Sequence, residues 1–315
     1  MREPPLADRR GLAGVPDPVT VRVPAKVNLH LSVGPRRADG YHDVTSIMHA
    51  VSLVDEVTAV SAAGISAQVT GEGAAEVPAG PENLAVAAAT RLARQAGVSG
   101  GVLLRIAKTI PVAGGMAGGS ADAAAALIAC DALWRTDLER SELIEIAATL
   151  GSDVPFALIG GTALATGRGE NVAPVLARGQ FHWVFALAER GLSTPSVYAE
   201  YDRGDPVPER DSDGVLAALR AGDAVALGRA LHNDLQAPAL RLRPALRRVL
   251  EAGMERGALG GIVAGSGPTC AFLTGSQADA IGLAAALAGS GTCRSVRRAY
   301  GPFPGARVAP PSEPQ

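Results

Sequence analysis

The stretch Pro111-Val-Ala-Gly-Gly-Met-Ala-Gly-Gly-Ser-Ala-Asp122 determines how the rest of the chain is interpreted. Four glycines and a serine lead into residues 123–134, which are strong helix formers, and the preceding residues 101–110 are rich in Val, Leu and Ile. Strand, glycine loop and helix is the order in which nucleotide-phosphate loops occur. Free backbone N–H groups and the positive end of a helix dipole then meet at one point, so the stretch predicts a phosphate-binding loop.

This loop departs from the commonest phosphate-loop motifs. Gly114 and Gly119 have the spacing of a Walker A loop, but Ser120 follows where that motif requires Lys. The stretch contains no G-x-G-x-x-G pattern, so a dinucleotide-binding fold is not supported. The alternative is a glycine-rich turn capped by Ser120, in which the glycines serve only a left-handed backbone. Four glycines within six residues exceed what a turn requires, which favours the phosphate loop.

Length and composition predict a two-domain protein that binds neither nucleic acid nor membrane. The chain has 315 residues, 47% of them hydrophobic, and a formal net charge of -2. No apolar run approaches the length of a membrane span, and residues 1–18 lack the apolar core of a signal peptide. Cys130, Cys270 and Cys293 are odd in number and lie in apolar surroundings, so we expect reduced cysteines in a cytoplasmic protein.

The distribution of basic residues singles out two positions. Of the 29 basic residues, Lys26 and Lys108 are the lysines and the others are arginines. Lys acts on phosphate as a compact point charge, whereas Arg acts as a planar fork. The two lysines therefore suggest phosphate contacts, although composition alone leaves two chance surface lysines equally open.

Polar side chains alternate with apolar ones along residues 25–33. In a strand this pattern places Lys26, Asn28 and His30 on one face, which either faces solvent or lines a polar site. After the Asp39-Gly40 turn, Tyr41-His42 is either a half-buried aromatic beside a surface histidine or a stacking platform with a hydrogen-bonding partner for a base.

Two further segments carry candidate chemistry. Asp153, two residues before Pro155, is either the N-cap of a short helix or a catalytic carboxylate. Gly265-Ser266-Gly267 is a second glycine-rich passage, but Pro268 excludes the serine nucleophile elbow, which needs glycine there. No recognised metal-binding spacing or hydrolase triad spacing is present in the sequence.

Three motifs in this order resemble those of the GHMP small-molecule kinases. They are Pro24-Ala-Lys-Val-Asn-Leu29, the glycine loop that begins at Pro111, and Gly265-Ser-Gly-Pro-Thr-Cys270. Within that superfamily, Arg37-Ala-Asp-Gly-Tyr-His-Asp43 and Gly151-Ser-Asp-Val-Pro-Phe156 most closely resemble the kinases that phosphorylate a cytidyl-linked polyol in the non-mevalonate isoprenoid pathway.

The resemblance runs from about residue 20 to 300 and implies an α+β two-domain GHMP kinase fold. It implies an N-terminal ribosomal-protein-S5-like α/β domain over residues 18–172, which binds ATP, and a C-terminal ferredoxin-like α+β domain over residues 173–301. The active site would lie in the cleft between the two domains. The charged and Pro-rich segments at residues 1–17 and 302–315 are predicted to be disordered tails.

The activity implied by this resemblance is transfer of a phosphoryl group from ATP to the 2-hydroxyl of a cytidyl-linked methylerythritol. ATP would be the co-substrate, Mg²⁺ would accompany it, and the protein would be a monomer or weak homodimer in the cytoplasm. Another GHMP kinase, for homoserine or mevalonate, is disfavoured because residues 39–42 suit a base pocket. A non-catalytic S5-like RNA-binding module is disfavoured by the net charge of -2 and the aromatic content of 3%.

The resemblance also implies roles for individual residues. Asp153 would accept the proton of the substrate hydroxyl, while Lys26 would orient it and hold the γ-phosphate. Ser120 is the nearest candidate to contact Mg²⁺, and no dedicated metal cage is expected. The implied ATP site comprises Asn83, Lys108, Pro111, Val112, Ala113, Gly114, Gly115, Met116, Ala117, Gly118, Gly119, Ser120 and Ala121. The implied substrate site comprises Asn28, Tyr41, His42, Tyr198, Gly265, Ser266 and Gly267.

Overall fold

The chain folds around two β-sheets with helices packed against them. The computed structural model describes residues 18–204 and 210–310, so the predicted N-terminal tail and residues 311–315 of the predicted C-terminal tail lie outside the described residues. Over the two described ranges, no helix combines the length and apolar character that a membrane crossing requires.

The strands and helices follow one another closely along both described ranges. The strands are β1 (Val19–Arg36), β2 (His42–Ala62), β3 (Ile65–Gly71), β4 (Gly101–Lys108), β5 (Thr162–Thr166), β6 (Asn171–Pro174), β7 (Phe181–Leu187), β8 (His232–Asn233), β9 (Gly260–Val263), β10 (Cys270–Thr274), β11 (Ser295–Gly301) and β12 (Arg307–Val308). The helices are α1 (Leu84–Ala96), α2 (Gly118–Trp134), α3 (Arg140–Leu150), α4 (Val154–Ile159), α5 (Thr194–Tyr201), α6 (Asp213–Ala221), α7 (Ala224–Ala230), α8 (Gln236–Leu242), α9 (Ala245–Glu255) and α10 (Gln277–Gly289).

The larger sheet has the order β12-β1-β2-β4-β3, with β8 on β1 and the hairpin β5–β6 on β2. The smaller sheet is antiparallel, in the order β11-β7-β10-β9. The predicted unit of strand, glycine loop and helix is confirmed as β4, residues 109–117 and α2.

Strand β1 alternates polar and apolar side chains, and both of its faces are covered. Lys26 and Asn28 are only 7% and 3% exposed and line the cleft described below, so the solvent-facing alternative is wrong. The alternation then shifts, because a β-bulge falls between Asn28 and His30 in the pairing with β2. Leu31 therefore lines the cleft and His30 does not, which corrects the prediction that His30 shares the face of Lys26 and Asn28.

Helix α2 is buried against the larger sheet and against α1. Nearly all of its side chains between Ala121 and Cys130 are buried, and most of them are alanines. A helix that is apolar all round is covered on all sides, and small side chains let it lie close to its neighbours. Because alanine also has the highest helix propensity, the same residues favour both the helix and its burial.

The two sheets share one hydrophobic core through β7. Phe181, Trp183 and Phe185 point into the cluster that contains the buried side chains of β1, β2 and α2. Val184 and Ala186, on the opposite face of β7, belong to a second cluster with the helices of the second half. The two predicted domains are therefore packed against each other over a continuous apolar contact.

The chain is divided between the two sheets differently from the predicted domain boundaries. Strand β6 pairs with β5 as far as Pro174, beyond the predicted end of the first domain at residue 172. Two short strands of the second half, β8 and β12, pair with β1. Residues from the second half therefore complete the larger sheet.

The prediction of a disordered tail from residue 302 is wrong for residues 302–310. Phe303 packs beside the buried cluster of Met48 and Phe156. Its backbone N–H donates to the Ala50 carbonyl at 3.0 Å, and its carbonyl accepts the N–H of Gly161 at 2.7 Å. The proline content that suggested disorder instead suits a segment that lies along the surface of a sheet.

We predict that ending the chain after Gly301 destabilises the fold. The deletion removes Phe303, the pairing of β12 with β1, and four further backbone hydrogen bonds, made by Phe303 N, Phe303 O, Ala306 N and Ala309 N. At about 1 kcal/mol for each of these four bonds, the free energy of unfolding should fall by at least about 3–4 kcal/mol. Denaturant unfolding measures this change. A chain that ends after Pro310 keeps all four bonds and is the control; equal stability of the two truncated chains would contradict the prediction.

The glycine loop after β4 touches the second glycine-rich passage, residues 264–267. Gly115 has a φ of +77°, and a Cβ built on it would overlap the carbonyl oxygen of Ala264. Gly119 instead lies in the first turn of α2, where a Cβ would make only an ordinary contact with Leu84 at 3.7 Å. Glycine is therefore required at residue 115 for the two loops to meet, and is not sterically required at residue 119.

Replacing these two glycines by alanine should have opposite effects on stability. We expect Gly115→Ala to lower the free energy of unfolding by more than about 2 kcal/mol, through the left-handed backbone and the overlap with Ala264. Gly119→Ala should leave it unchanged or raise it by up to about 1 kcal/mol, because alanine favours a helix. Thermal and denaturant unfolding of both variants checks this, and equal melting temperatures would refute the close contact.

Candidate active site

A cleft of about 830 Å³ lies between β1, the glycine loop, α5 and the β5–β6 hairpin. Most of the residues predicted for the site contribute to its wall. They are Lys26, Asn28, Tyr41, His42, Asn83, Lys108, Pro111, Val112, Ala113, Gly114, Gly115, Ala117, Gly118, Gly119, Ser120, Asp153, Tyr198, Gly265 and Ser266.

Three predicted site residues do not line this cleft. Met116 and Ala121 are buried in the hydrophobic core, because the loop turns one side chain inward before α2 begins and the next turn of α2 faces the sheet. Gly267 lies behind the wall, where a Cβ built on it would meet Val263 at 2.8 Å. The inclusion of these three positions in the predicted site is corrected accordingly.

Lys26 and Asp153, the predicted catalytic pair, lie beside each other in the cleft wall. Lys26 Nζ lies 3.7 Å from Asp153 Oδ2, close enough for an ion pair. Lys26 also donates a hydrogen bond of 2.6 Å to Asn28 Oδ1, and Asn28 Nδ2 donates to Ser46 Oγ at 2.8 Å. Ser46 in turn donates to the His30 carbonyl at 2.8 Å. This chain of hydrogen bonds holds the ammonium group of Lys26 in place beside the carboxylate.

Asp153 occupies the N-cap position of α4 without capping it. Its side chain makes no hydrogen bond to the first turn of the helix, and its backbone has helical angles of −87° and −10°. The carboxylate is 32% exposed and points into the cleft wall beside Lys26. The helix dipole still favours a negative charge at this position. No hydrogen bond among the described residues therefore supports the alternative that Asp153 acts as a helix cap.

The glycine loop presents backbone donors to the cleft. Helix α2 begins at Gly118, and the first N–H that bonds within the helix is that of Ala121, which donates to the Ala117 carbonyl at 2.9 Å. The N–H groups of Gly118, Gly119 and Ser120 have no partner inside the helix, and all three residues line the cleft. Ser120 lies inside the helix, and no side chain among the described residues caps it, so the alternative of a turn capped by Ser120 is wrong.

Lys108 lies beneath the loop between two buried carboxylates. Its Nζ donates to Asp55 and, at 2.7 Å, to Asp122 Oδ2, while its side chain is only 2% exposed. Asp55 Oδ1 also accepts the N–H groups of Thr109 and Ile110 at 2.5 and 2.8 Å. Burial opposes the charge of Lys108, but the two carboxylates outweigh it and raise the pKa of the ammonium. Lys108 therefore ties β4, the loop and α2 together.

Asn83 also has a local role. Its Oδ1 accepts the N–H of Ala85 at 2.8 Å and thereby caps α1, and its Nδ2 donates to the Pro78 carbonyl at 2.7 Å. Both polar atoms of the side chain are thus engaged within the segment that ends at α1, although the residue lines the cleft.

Tyr41, His42 and Tyr198 are brought to one end of the cleft. The ring of His42 lies between those of Tyr198 and Tyr201, at centroid distances of 5.1 and 6.0 Å. His42 Nε2 lies 2.8 Å from Asp202 Oδ1, which orients the imidazole. Burial, reinforced by the charge of Asp153, raises the pKa of Tyr198 to about 12, so its phenol stays neutral.

Several hydrogen-bond partners of the cleft residues were not predicted. Ser46, Asp55, Asp122 and Asp202 hold Asn28, Lys108 and His42, yet each comes from a segment distant in sequence from the group it positions. Thr194 and Ser266 share a hydrogen bond of 2.7 Å between their hydroxyls and join α5 to the second glycine passage. A local signal existed only for α5, where Ser193 precedes Pro195 in the first turn.

Comparisons with known proteins identify the family of the chain. Residues 83–161 match the family described as GHMP kinases N terminal domain, and residues 215–293 match GHMP kinases C terminal. A protein of Nocardia farcinica named 4-diphosphocytidyl-2-C-methyl-D-erythritol kinase is 57% identical over 304 residues, which cover 95% of this chain and 99% of the relative.

Solved structures give the same result for the fold. A crystal structure of 4-(cytidine 5'-diphospho)-2C-methyl-D-erythritol kinase matches with a TM-score of 0.73 and 34% identity, over 89% of this chain and 98% of that chain. Homoserine kinase from Cytophaga hutchinsonii matches with a TM-score of 0.74 but only 18% identity, over 95% of this chain and 99% of that chain, and so indicates the fold alone. The predicted two-domain GHMP kinase fold is confirmed. The chain belongs to the GHMP kinases and, within them, to the family of the 4-diphosphocytidyl-2-C-methyl-D-erythritol kinases.

Proposed function

We propose that the protein transfers the γ-phosphoryl group of ATP to the 2-hydroxyl of 4-diphosphocytidyl-2-C-methyl-D-erythritol. The observation that carries this proposal is that one cleft is lined by the first amides of α2, by the ion pair of Lys26 with Asp153, and by the rings of His42 and Tyr198. Homoserine or mevalonate would leave the aromatic end of the cleft without a planar group to bind. The name of the 57% identical relative supports the same substrate.

Positioning and charge account for most of the rate of such a transfer, because a loose transition state needs little covalent assistance. The unpartnered amides of Gly118, Gly119 and Ser120 would bind phosphate oxygens of ATP. Lys26 would hold the γ-phosphate and the acceptor hydroxyl in line. Asp153 would accept the hydroxyl proton late, as the new P–O bond forms and the hydroxyl becomes acidic.

Mg²⁺ would accompany ATP, and the start of α2 offers oxygen donors that suit it. Ser120 lines the cleft in the first turn of α2 and carries a hydroxyl. Asp122 Oδ1 is buried and has no hydrogen-bond partner among the described residues, which leaves one carboxylate oxygen for a further contact. Hard oxygen ligands are those that Mg²⁺ prefers. When bound, the ion would neutralise charge on the transferred phosphate.

The aromatic end of the cleft would bind cytosine. Base stacking on an aromatic ring tolerates any base, so Tyr198 would supply affinity and the oriented His42 would supply a hydrogen bond to the base edge. We also propose that the protein works in the cytoplasm as a monomer or weak homodimer, binding only small molecules. The free thiols of Cys130 and Cys270, both buried, are consistent with a reducing compartment.

A coupled ADP-release assay tests the proposed substrate. We expect turnover with 4-diphosphocytidyl-2-C-methyl-D-erythritol and ATP-Mg²⁺, and turnover at least about 100-fold lower with homoserine or mevalonate, which cannot fill the aromatic end. Preferred turnover of homoserine or mevalonate would replace the proposed substrate with one of these alternatives.

Asp153→Asn should separate catalysis from stability. The substitution keeps size and shape but removes the proton acceptor, so we expect kcat to fall by about 10²–10⁴-fold with little change in substrate affinity. The melting temperature should stay within about 1 °C, since the Asp153 side chain caps no N–H. Single-turnover kinetics beside a melting curve measures both. Normal turnover would place the proton acceptor elsewhere.

Tyr198→Ala should weaken substrate binding and spare ATP binding. Stacking on a base contributes about 1–3 kcal/mol, so KM for the cytidyl substrate should rise by about 5-fold to 100-fold while KM for ATP stays constant. Tyr198→Phe keeps the ring and serves as the control, with KM near that of the wild type. A loss of ATP affinity in Tyr198→Ala would show that the aromatic end binds the nucleotide of ATP instead.

A further inference from the structure

Arg168 lines the cleft and has no role in the chemistry above. It lies in the β5–β6 loop, residues 167–170, which connects the two strands of the hairpin. The side chain is 37% exposed on the cleft side of the molecule, so its charge is available to a ligand.

The β5–β6 loop is fastened at both ends to parts of the active site. The Gly167 carbonyl accepts the N–H of Val44 at 2.7 Å, and Val44 follows His42 by two residues. Gly169 packs so closely on the other side that a Cβ built on it would lie 3.3 Å from Cβ of Ser152, the neighbour of Asp153. Arg168 therefore stands between the aromatic end of the cleft and the catalytic pair.

The guanidinium of Arg168 is oriented by two neighbours. Its Cζ lies 5.1 Å from the ring centroid of Tyr41, in a cation–π contact. It forms an ion pair with Glu170 at 3.5 Å, longer than the roughly 2.7–2.9 Å of a charge-assisted hydrogen bond, so its N–H donors are not taken up by that carboxylate. The other oxygen of Glu170 accepts the backbone N–H of Arg168 at 2.6 Å, so Glu170 mainly shapes the loop.

The other cations of the cleft wall are less suited to a ligand in this position. Lys26 is held by Asn28 and Asp153 at the catalytic end, and Lys108 is buried between two carboxylates. Arg36 donates to the Gly40 carbonyl at 3.4 Å, in the turn before Tyr41. Among the cleft cations that the structure describes, Arg168 is the one that both stacks on Tyr41 and adjoins Gly169, which packs beside Ser152.

We propose that Arg168 binds the diphosphate that joins cytidine to the polyol in the substrate. This inference rests on the proposed function, because that substrate carries two phosphates between its base and the hydroxyl that reacts. A planar guanidinium binds phosphate oxygens through two parallel N–H donors, and its stack on Tyr41 holds that fork ready. Arg168 thus sets the distance between the bound base and the catalytic pair.

Binding of cytidine and of cytidine 5'-diphosphate tests this proposal by calorimetry. For Arg168→Gln we expect the affinity for cytidine 5'-diphosphate to fall by about 10-fold to 100-fold, with the affinity for cytidine changed less than about 2-fold. KM for the full substrate should rise by a similar factor while kcat stays near that of the wild type. Arg168→Lys should recover part of the loss, because it restores the charge without the fork.

Arg37→Gln is the matched control. Arg37 is also 39% exposed and lies in the neighbouring turn, but it pairs with Asp39 and Asp43 and does not line the cleft. The substitution Arg37→Gln removes the same positive charge as Arg168→Gln. It should leave the affinities for cytidine and for cytidine 5'-diphosphate unchanged.

Three results would overturn the proposal. Equal losses for cytidine and its diphosphate in Arg168→Gln would mean that Arg168 only supports Tyr41. Unchanged affinity for both ligands would remove Arg168 from the site, with the proposed function intact. A wild-type protein that binds neither ligand and does not phosphorylate the cytidyl substrate would refute the proposed function itself.

Discussion

One buried ammonium between two carboxylates holds the phosphate end of the cleft together. Lys108 ends β4, Asp55 comes from β2 and Asp122 from the second turn of α2, so the ion triad joins three elements. Removing ionisable groups from water is costly, and burial raises the pKa of Asp122 to about 8. Close contacts and further hydrogen bonds offset part of that cost. Asp55 supplies the further bonds by accepting the N–H groups of Thr109 and Ile110. The start of α2, with its unpartnered amides, is therefore fixed relative to the sheet.

Features with local signals could be predicted from the sequence. The phosphate loop is predicted from its glycines, and α1 likewise carries local signals in the cap residue Asn83 and the glycine at its end. The Tyr41-His42 pair suggests a base platform by itself, but its meeting with Tyr198 is predicted only through resemblance, since nothing in their spacing implies it. Ser193 and the following Pro195 are typical of a helix start. Helix α5 was nevertheless not predicted, because the segment is short.

What escaped prediction depends on contacts between distant segments. A bulge in β1 shifts His30 out of the cleft, and only the pairing with β2 reveals it. The contact of Asp202, which follows α5, with His42 joins segments 160 residues apart, and no local pattern predicts it. The proline content of residues 302–310 predicts disorder, yet Phe303 packs against Met48 and Phe156, which lie far earlier in the sequence. Composition describes a segment's own preferences and not the surface that receives it.

Strand β1 carries Lys26, but the second half of the chain completes the sheet around it. At His30, β1 pairs with β8, and at Val21 it pairs with β12, whose residues lie close to the end of the described chain. During synthesis the first half leaves the ribosome with this strand edge open. The sheet around Lys26 is therefore complete only after residues 307–308 have been synthesised, although the strand that carries the lysine is among the first to emerge.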